Sequence, residues 1–393
     1  MKRSIALILS VVLVLTMLTG CGSKSPADDT EDNITPGQTG TTNQIVLITD
    51  KGNIDDKSFN QGSWEGVVAF CEANDIKDYN YIKPEDASDA GYLAAIDQAV
   101  EGGAKVVVTP GYLFEVPLYT AQTKYPEVKF ILLDGAPHNT DWVYETKSNV
   151  ASVMYAEEQS GYLAGYAAVK DGYTKLGFMG GMAVPAVIAF GYGFLQGAEA
   201  AATELGLADG AISVTYHYTG NFEENDTNKA TAKTMYQEGT EVIFACGGSV
   251  GKSVMSAASE ADAKVIGVDV DQRYDSETVI TSATKGLGAS VQAVLDSIYN
   301  TDSWDTYAGD TTYFNASNDG VGLPTVVIGD DKADAFDRFN SFDKAAYDAV
   351  YATLADGSVK PIRDLTVEDP SGIATAAELT AGLSLKKVAV TTR

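Results

Sequence analysis

Thr49-Asp50-Lys51-Gly52-Asn53-Ile54-Asp55-Asp56-Lys57-Ser58-Phe59-Asn60-Gln61-Gly62-Ser63-Trp64-Glu65-Gly66 joins an apolar, β-rich run ending at Asp50 to a segment of helical period starting at Gly62. A strand that ends in a polar turn and continues into a helix opens a parallel β–α–β unit. In open sheets of that kind ligands sit at the carboxyl ends of the strands. The turn holds a carboxylate (Asp50), an aromatic ring (Phe59) and a carboxamide (Asn60) within reach of one another, which suits a flat, hydrogen-bonding ligand. Each also has a plainer use: Phe59 as a core ring at a helix start, and Asp50, Asp56 and Asn60 as caps.

Outward from this turn the same alternation continues. Strands are expected at 44–50, 105–109, 128–134, 175–179, 211–218, 241–245 and 264–269, with helices between them at 62–73, 90–102, 157–169, 190–205, 228–239 and 251–261. The expected class is α/β, with mainly parallel sheets flanked by helices. Residues 44–393 are more than one hydrophobic core normally holds, and 45% hydrophobic residues are enough for two. Two lobes are therefore expected: residues 44–150 plus about 283–322, and residues 151–282 plus about 323–393.

At the N-terminus, Lys2 and Arg3 precede an apolar run from Ile5 to Leu18 that is too short to span a bilayer comfortably. It reads as a signal peptide over residues 1–20. Leu18-Thr19-Gly20-Cys21 resembles the lipobox of bacterial lipoproteins, with lipid expected on Cys21. Residues 22–43 lack aromatic side chains and are rich in Gly, Pro, Ser, Thr, Asn and Asp, the composition of a tether. The chain is thus expected to be anchored at the outer face of the cell membrane. No later stretch is apolar enough for a membrane helix, so any pore belongs to another polypeptide.

The formal charge of −27 argues against nucleic acid and anionic ligands and favours a neutral or cationic one. Cys71 and Cys246 lie in apolar segments and read as buried thiols. Two isolated histidines give no transition-metal site, and Asp269-Val270-Asp271 with Asp275 lacks the glycine and glutamate of a calcium loop. No metal and no cofactor is expected. Gly247-Gly248-Ser249-Val250-Gly251 fits the nucleophile elbow of a serine hydrolase, but His138 and His217 both precede Ser249, the wrong order for that fold. Cys246-Gly-Gly-Ser-Val-Gly-Lys252-Ser253 departs from a P-loop only at its first position, where cysteine would crowd a loop that must wrap phosphates. Hydrolase and NTPase remain outside readings. A glycine turn that offers backbone N–H groups to a ligand accounts for the same residues.

The stretch from Thr49 to Gly66 closely resembles the signature of the basic membrane protein family of lipoproteins. The resemblance continues through Phe130-Ile131-Leu132-Leu133-Asp134, Gly180-Gly181-Met182 with Pro185, Ala245-Cys246-Gly247-Gly248, Gly267-Val268-Asp269-Val270-Asp271-Gln272 and Thr281-Ser282-Ala283-Thr284-Lys285. Members, including purine-nucleoside receptor lipoproteins, have the two-lobed fold of type I periplasmic binding proteins and deliver nucleosides to ABC importers. The resemblance implies an interlobe nucleoside site and partners in an ABC permease and ATPase, with no reaction. By position, Phe59 would stack on the base while Asp50 and Asn60 read its edge, and Asp134 would add an acceptor. Asp269 and Lys285 would hold the ribose, and Gly248 would let backbone approach. Phe222, with Phe190 in reserve, would supply a second ring. Cys246 and the segment Phe222-Glu223-Glu224-Asn225-Asp226 depart from the family pattern. A sugar or other small polar solute, or a sensory role on the same fold, remains an alternative.

Overall fold

The computed structural model describes residues 44–327, 329, 333–363 and 376–393. The signal, Cys21 and tether lie outside them. The chain runs β1 (Ile45–Ile48), α1 (Phe59–Ala73), β2 (Tyr79–Ile82), α2 (Asp89–Glu101), β3 (Val106–Pro110), α3 (Glu115–Lys124), β4 (Lys129–Leu133) and β5 (Val150–Tyr155). It continues through α4 (Glu157–Lys170), β6 (Lys175–Gly180), α5 (Pro185–Glu204), β7 (Ile212–Tyr218), α6 (Asp226–Gln237), β8 (Val242–Cys246), α7 (Val250–Ala261) and β9 (Lys264–Asp269). The rest is β10 (Val279–Lys285), α8 (Leu287–Tyr299), β11 (Thr311–Phe314), β12 (Val321–Gly322), α9 (Lys344–Ala355), α10 (Ala376–Thr380) and β13 (Val388–Thr392).

Among the described residues the strands form a 6-stranded sheet, β11-β5-β4-β3-β1-β2, and a 7-stranded sheet, β12-β10-β9-β8-β6-β7-β13. Pairing is parallel except between β10 and β12. This is the expected α/β class. Strands buried on both faces read as continuous apolar runs, as in Ile45-Val46-Leu47-Ile48. Their side chains still alternate: Ile45 and Leu47 join Trp64, Val67 and Phe70 of α1 and Val291 of α8, whereas Val46 and Ile48 join Tyr92 and Ile96 of α2 and Leu118 of α3. The second sheet is covered likewise by α4, α5 and α9 on one face and by α6 and α7 on the other.

The chain leaves the first sheet after β5, returns after β10, and leaves again between β11 and β12. Two helices start earlier than their apolar period suggests. α1 begins at Phe59 because the Asp56 carboxylate accepts from the backbone N–H groups of Ser58 (2.9 Å), Asn60 (3.0 Å) and Gln61 (3.1 Å). α5 begins at Pro185, whose fixed φ and missing N–H suit a first turn.

Candidate functional site

The carboxyl ends of β1, β3 and β4 face those of β6 to β10 across a cavity with about 860 Å³ of atom-free space, part of it continuous with solvent. Asp50, Phe59, Asn60, Asp134, Phe222, Gly248, Asp269 and Lys285 all line it, and so does Phe190. Residues spread over more than two hundred positions therefore meet in one place. Among the residues that sequence reading left out, Tyr112 and Asp56 also line the cavity.

The β1–α1 turn is held by its own side chains. Asn60 donates from Nδ2 to Asp50 Oδ1 (2.8 Å) and Asp56 Oδ2 (2.9 Å), and its Oδ1 accepts from the Asp50 backbone N–H (3.1 Å). Both amide hydrogens are thus engaged, and Asn60, 1% exposed, fixes where Asp50 points. Asp50 Oδ1 also accepts from Gly52 N (2.7 Å). Burial raises the Asp50 carboxyl above the usual range, and burial pushes Asp56 up to about 6 despite its donors.

Asp134 and Asp269 end β4 and β9 with positive φ, 57° and 66°. Aspartate tolerates this left-handed conformation better than most side chains, and here it turns both carboxylates into the cavity. Between them the Lys285 ammonium, at the end of β10, touches Asp134 Oδ2 and lies 3.3 Å from Glu157 Oε1 and 3.8 Å from Asp269 Oδ1. The rings of Phe59, Tyr155 and Phe190 surround it at 4.7, 5.4 and 5.4 Å. Burial alone would strip its proton, but Asp134, Glu157 and Asp269 more than offset that and hold the ammonium above the usual lysine range. Burial also raises Asp134 and Asp269, against the pull of Lys285. A cavity lined by Asp50, Asp56, Asp134 and Asp269 offers acceptors for N–H and O–H groups and repels phosphate.

The glycine turn after β8 behaves as a close-approach element. Gly248 has φ 56°, and a Cβ on Gly247 would lie 2.7 Å from the Gly181 nitrogen. The Lys252 ammonium donates to the Asp55 carbonyl (3.2 Å), away from the loop that a P-loop lysine would serve. His138 sits against Glu115 at 3.3 Å and the His217 ring meets the Arg393 carbonyl at 3.3 Å, so neither is a base for Ser249. Asp271 is paired with Arg273, and Asp269 accepts from Ser58 Oγ at 2.5 Å, so the Asp-Val-Asp run does not converge on a cation.

The two sheets also bond to each other at the cavity's edge. Ser58 meets Asp269 as above, Gln272 Nε2 donates to the Lys57 carbonyl (2.7 Å), and Lys252 reaches Asp55. Glu157, Ser58, Gln272 and Arg363 were not singled out from sequence as site residues. Ser58 and Gln272 do fall inside runs that resemble the family signature, whereas Glu157 stands as an acid in the first turn of a helix, where it suits the dipole.

Two helix-flanked, mainly parallel sheets with a cavity at their carboxyl ends, lined mostly by apolar groups with a few carboxylates and the Lys285 ammonium, are an arrangement suited to holding a small solute. A family model described as ABC transporter substrate-binding protein PnrA-like matches residues 43–347. The ABC transporter nucleoside-binding protein BmpA of Lactococcus lactis is 30% identical over 344 residues, 82% of this chain and 91% of that protein. Basic membrane protein A1 of Borrelia garinii is 28% identical over 271 residues, 67% of this chain and 74% of that protein. A solute-binding protein of an ABC transporter system from Aeropyrum pernix superposes with a TM-score of 0.72 at 23% identity, covering 86% of this chain and 98% of that one, which supports the fold. The chain belongs to the PnrA-like, or basic membrane protein, family of ABC transporter substrate-binding proteins, which are receptors and not enzymes. Among the described residues no helix is long and apolar enough to cross a membrane.

Proposed function

We propose that the chain captures a nucleoside, with purine favoured, between two closing lobes and presents it to the permease of an ABC importer. Lipid on Cys21 would hold it at the outer face of the membrane. The expected lobes of 44–150 with about 283–322 and of 151–282 with about 323–393 are redrawn by sheet membership, one as 44–155 with about 287–314 and the other as 157–285 with 321–327, 333–363 and 376–393, since β5 pairs in the first sheet and β10 and β12 in the second. The observation that carries this reading is the division of chemistry in the cavity: Phe59 and Asp50 on the first sheet's side, and Asp269 with Lys285 on the second. A ring beside a carboxylate suits a base and its N–H edge, and a carboxylate beside an ammonium suits vicinal hydroxyls. Phe222 lies on the second sheet's side of the same cavity, as a second ring against the base requires. The acidic lining favours an uncharged nucleoside over a nucleotide. The name of the Lactococcus relative agrees with this cargo.

The test is calorimetric titration of residues 22–393, refolded to remove carried-over ligand, against adenosine, guanosine, inosine, uridine, cytidine, ribose and ATP. Tight binding of a nucleoside with ribose and ATP inert supports the reading and names the base. Binding of ribose with no preference for nucleosides moves the cargo to sugars, and no binding by folded protein removes the cargo altogether.

A further inference from the structure

Glu157 is the first residue of α4, at the point where the chain passes from β5 in the first sheet to a helix on the second. It is 1% exposed and is not among the residues that line the cavity. Its Oε1 makes no hydrogen bond and stands 3.3 Å from the Lys285 ammonium. Its Oε2 accepts from Arg363 Nη1. Arg363 comes from the chain after α9 and donates from the same nitrogen to the Tyr155 carbonyl (2.6 Å) and Glu158 Oε2 (2.8 Å). A buried carboxylate without cations is strongly disfavoured, and the planar guanidinium matches carbonyl and carboxylate oxygens better than an ammonium would. Arg363 and Lys285 therefore hold Glu157 between them, one from outside and one from the cavity.

We propose that Glu157 and Arg363 are positioning residues for Lys285: Arg363 anchors Glu157 at the chain crossing, and Glu157, together with Asp134, draws the Lys285 ammonium so that Asp269 Oδ1, 3.8 Å from it, stays open to ligand hydroxyls. The groups facing that ammonium are the carboxylates of Asp134, Asp269 and Glu157 and the rings of Phe59, Tyr155 and Phe190. Without Glu157 the ammonium moves onto Asp269 Oδ1 as well as Asp134 and blocks the acceptor that the sugar needs. The two residues thereby set the preference for a nucleoside over its free base without touching either. This rests on the reading of the cavity as a nucleoside site.

The probes are inosine and hypoxanthine, titrated into the full chain and into Glu157→Gln, Arg363→Lys, Lys285→Met and the Glu157→Gln/Lys285→Met double variant. Expected is a loss of about tenfold or more in inosine affinity for Glu157→Gln, with hypoxanthine within about twofold of the unsubstituted protein. Arg363→Lys follows in the same direction and serves should Glu157→Gln fold poorly. In the Lys285→Met background Glu157→Gln costs nothing further, because its effect passes through the lysine. Equal losses for inosine and hypoxanthine, or full additivity in the double variant, overturn the proposal and leave the nucleoside reading standing. An unsubstituted protein that binds no inosine overturns both.

Discussion

Phe59 stands between cavity and core: it heads α1, lines the cavity, lies under the Lys285 ammonium and packs against the first sheet's core. Replacing it with alanine removes a stacking surface together with the part of the ring that packs against the core under α1. Phe59→Ala is expected to weaken nucleoside binding by about 1–3 kcal/mol, while the unliganded protein stays folded with a modestly lowered thermal midpoint. Retained affinity in a folded Phe59→Ala protein would remove the stack from the mechanism. Asp50, Phe59 and Asn60 were legible in sequence because one turn carries all three. Asn60 was legible as a site residue but not as the clamp on Asp50, since that depends on which way an amide faces. Glu157 and Arg363 were not legible, because their contact joins positions 206 apart and neither falls in a motif.

At the scale of elements, α4 and α5 pack with their backbones in contact. A Cβ on Gly165 would meet the Phe194 carbonyl oxygen at 2.0 Å, and one on Gly197 would meet the Tyr162 carbonyl oxygen at 1.9 Å. Neither clash can be relieved by a rotamer change. Gly165→Ala is expected to destabilise the fold by about 2 kcal/mol or more, read as a lowered urea midpoint, although alanine is the better helix former. A neutral or stabilising effect would show that the helices can part at little cost. The β1–α1 turn carries a pH dependence of its own. Burial pushes Asp56 up to about 6 in the fold, so between the usual aspartate value of about 3.9 and that pH the folded state holds a proton that the unfolded chain has released. Stability is therefore highest below that window and falls as pH rises through it, by at most about 3 kcal/mol from this group. The upward shifts of Asp50, Asp134 and Asp269 act in the same sense. Thermal midpoints measured from pH 4 to 6.5 should fall with rising pH, and more shallowly in Asp56→Asn; a rising profile would contradict the assignment. Among elements, central strands such as β3, β8 and β9 could be read from unbroken Val and Ile runs. Strands β5 and β10 were passed over because Ser, Thr and Ala dilute their apolar signal, and β11 to β13 because their pairing is made only by long-range return of the chain.

At the scale of the whole molecule, the α/β class followed from alternation of strand and helix, and the family from short runs spread along residues 49–285. What alternation does not encode is the set of bonds that join the sheets at the cavity's edge. Gln272, 1% exposed, makes one of these: its Nε2 reaches the Lys57 carbonyl while its Oε1 accepts from Val268 N at 3.0 Å. Under the proposed closure, Gln272→Ala is expected to speed nucleoside dissociation by about tenfold in stopped-flow experiments and to leave association unchanged, because the bond would form only after the two sides meet. A slower association with unaltered dissociation would place Gln272 in the encounter instead.

That bond is made by the protein to itself, between two residues that do not line the cavity. It contributes the same free energy whatever molecule is enclosed, so grip and recognition are separable traits in this architecture. Descendants of such a receptor can change diet by altering a few residues around the cavity while inheriting their tenacity intact.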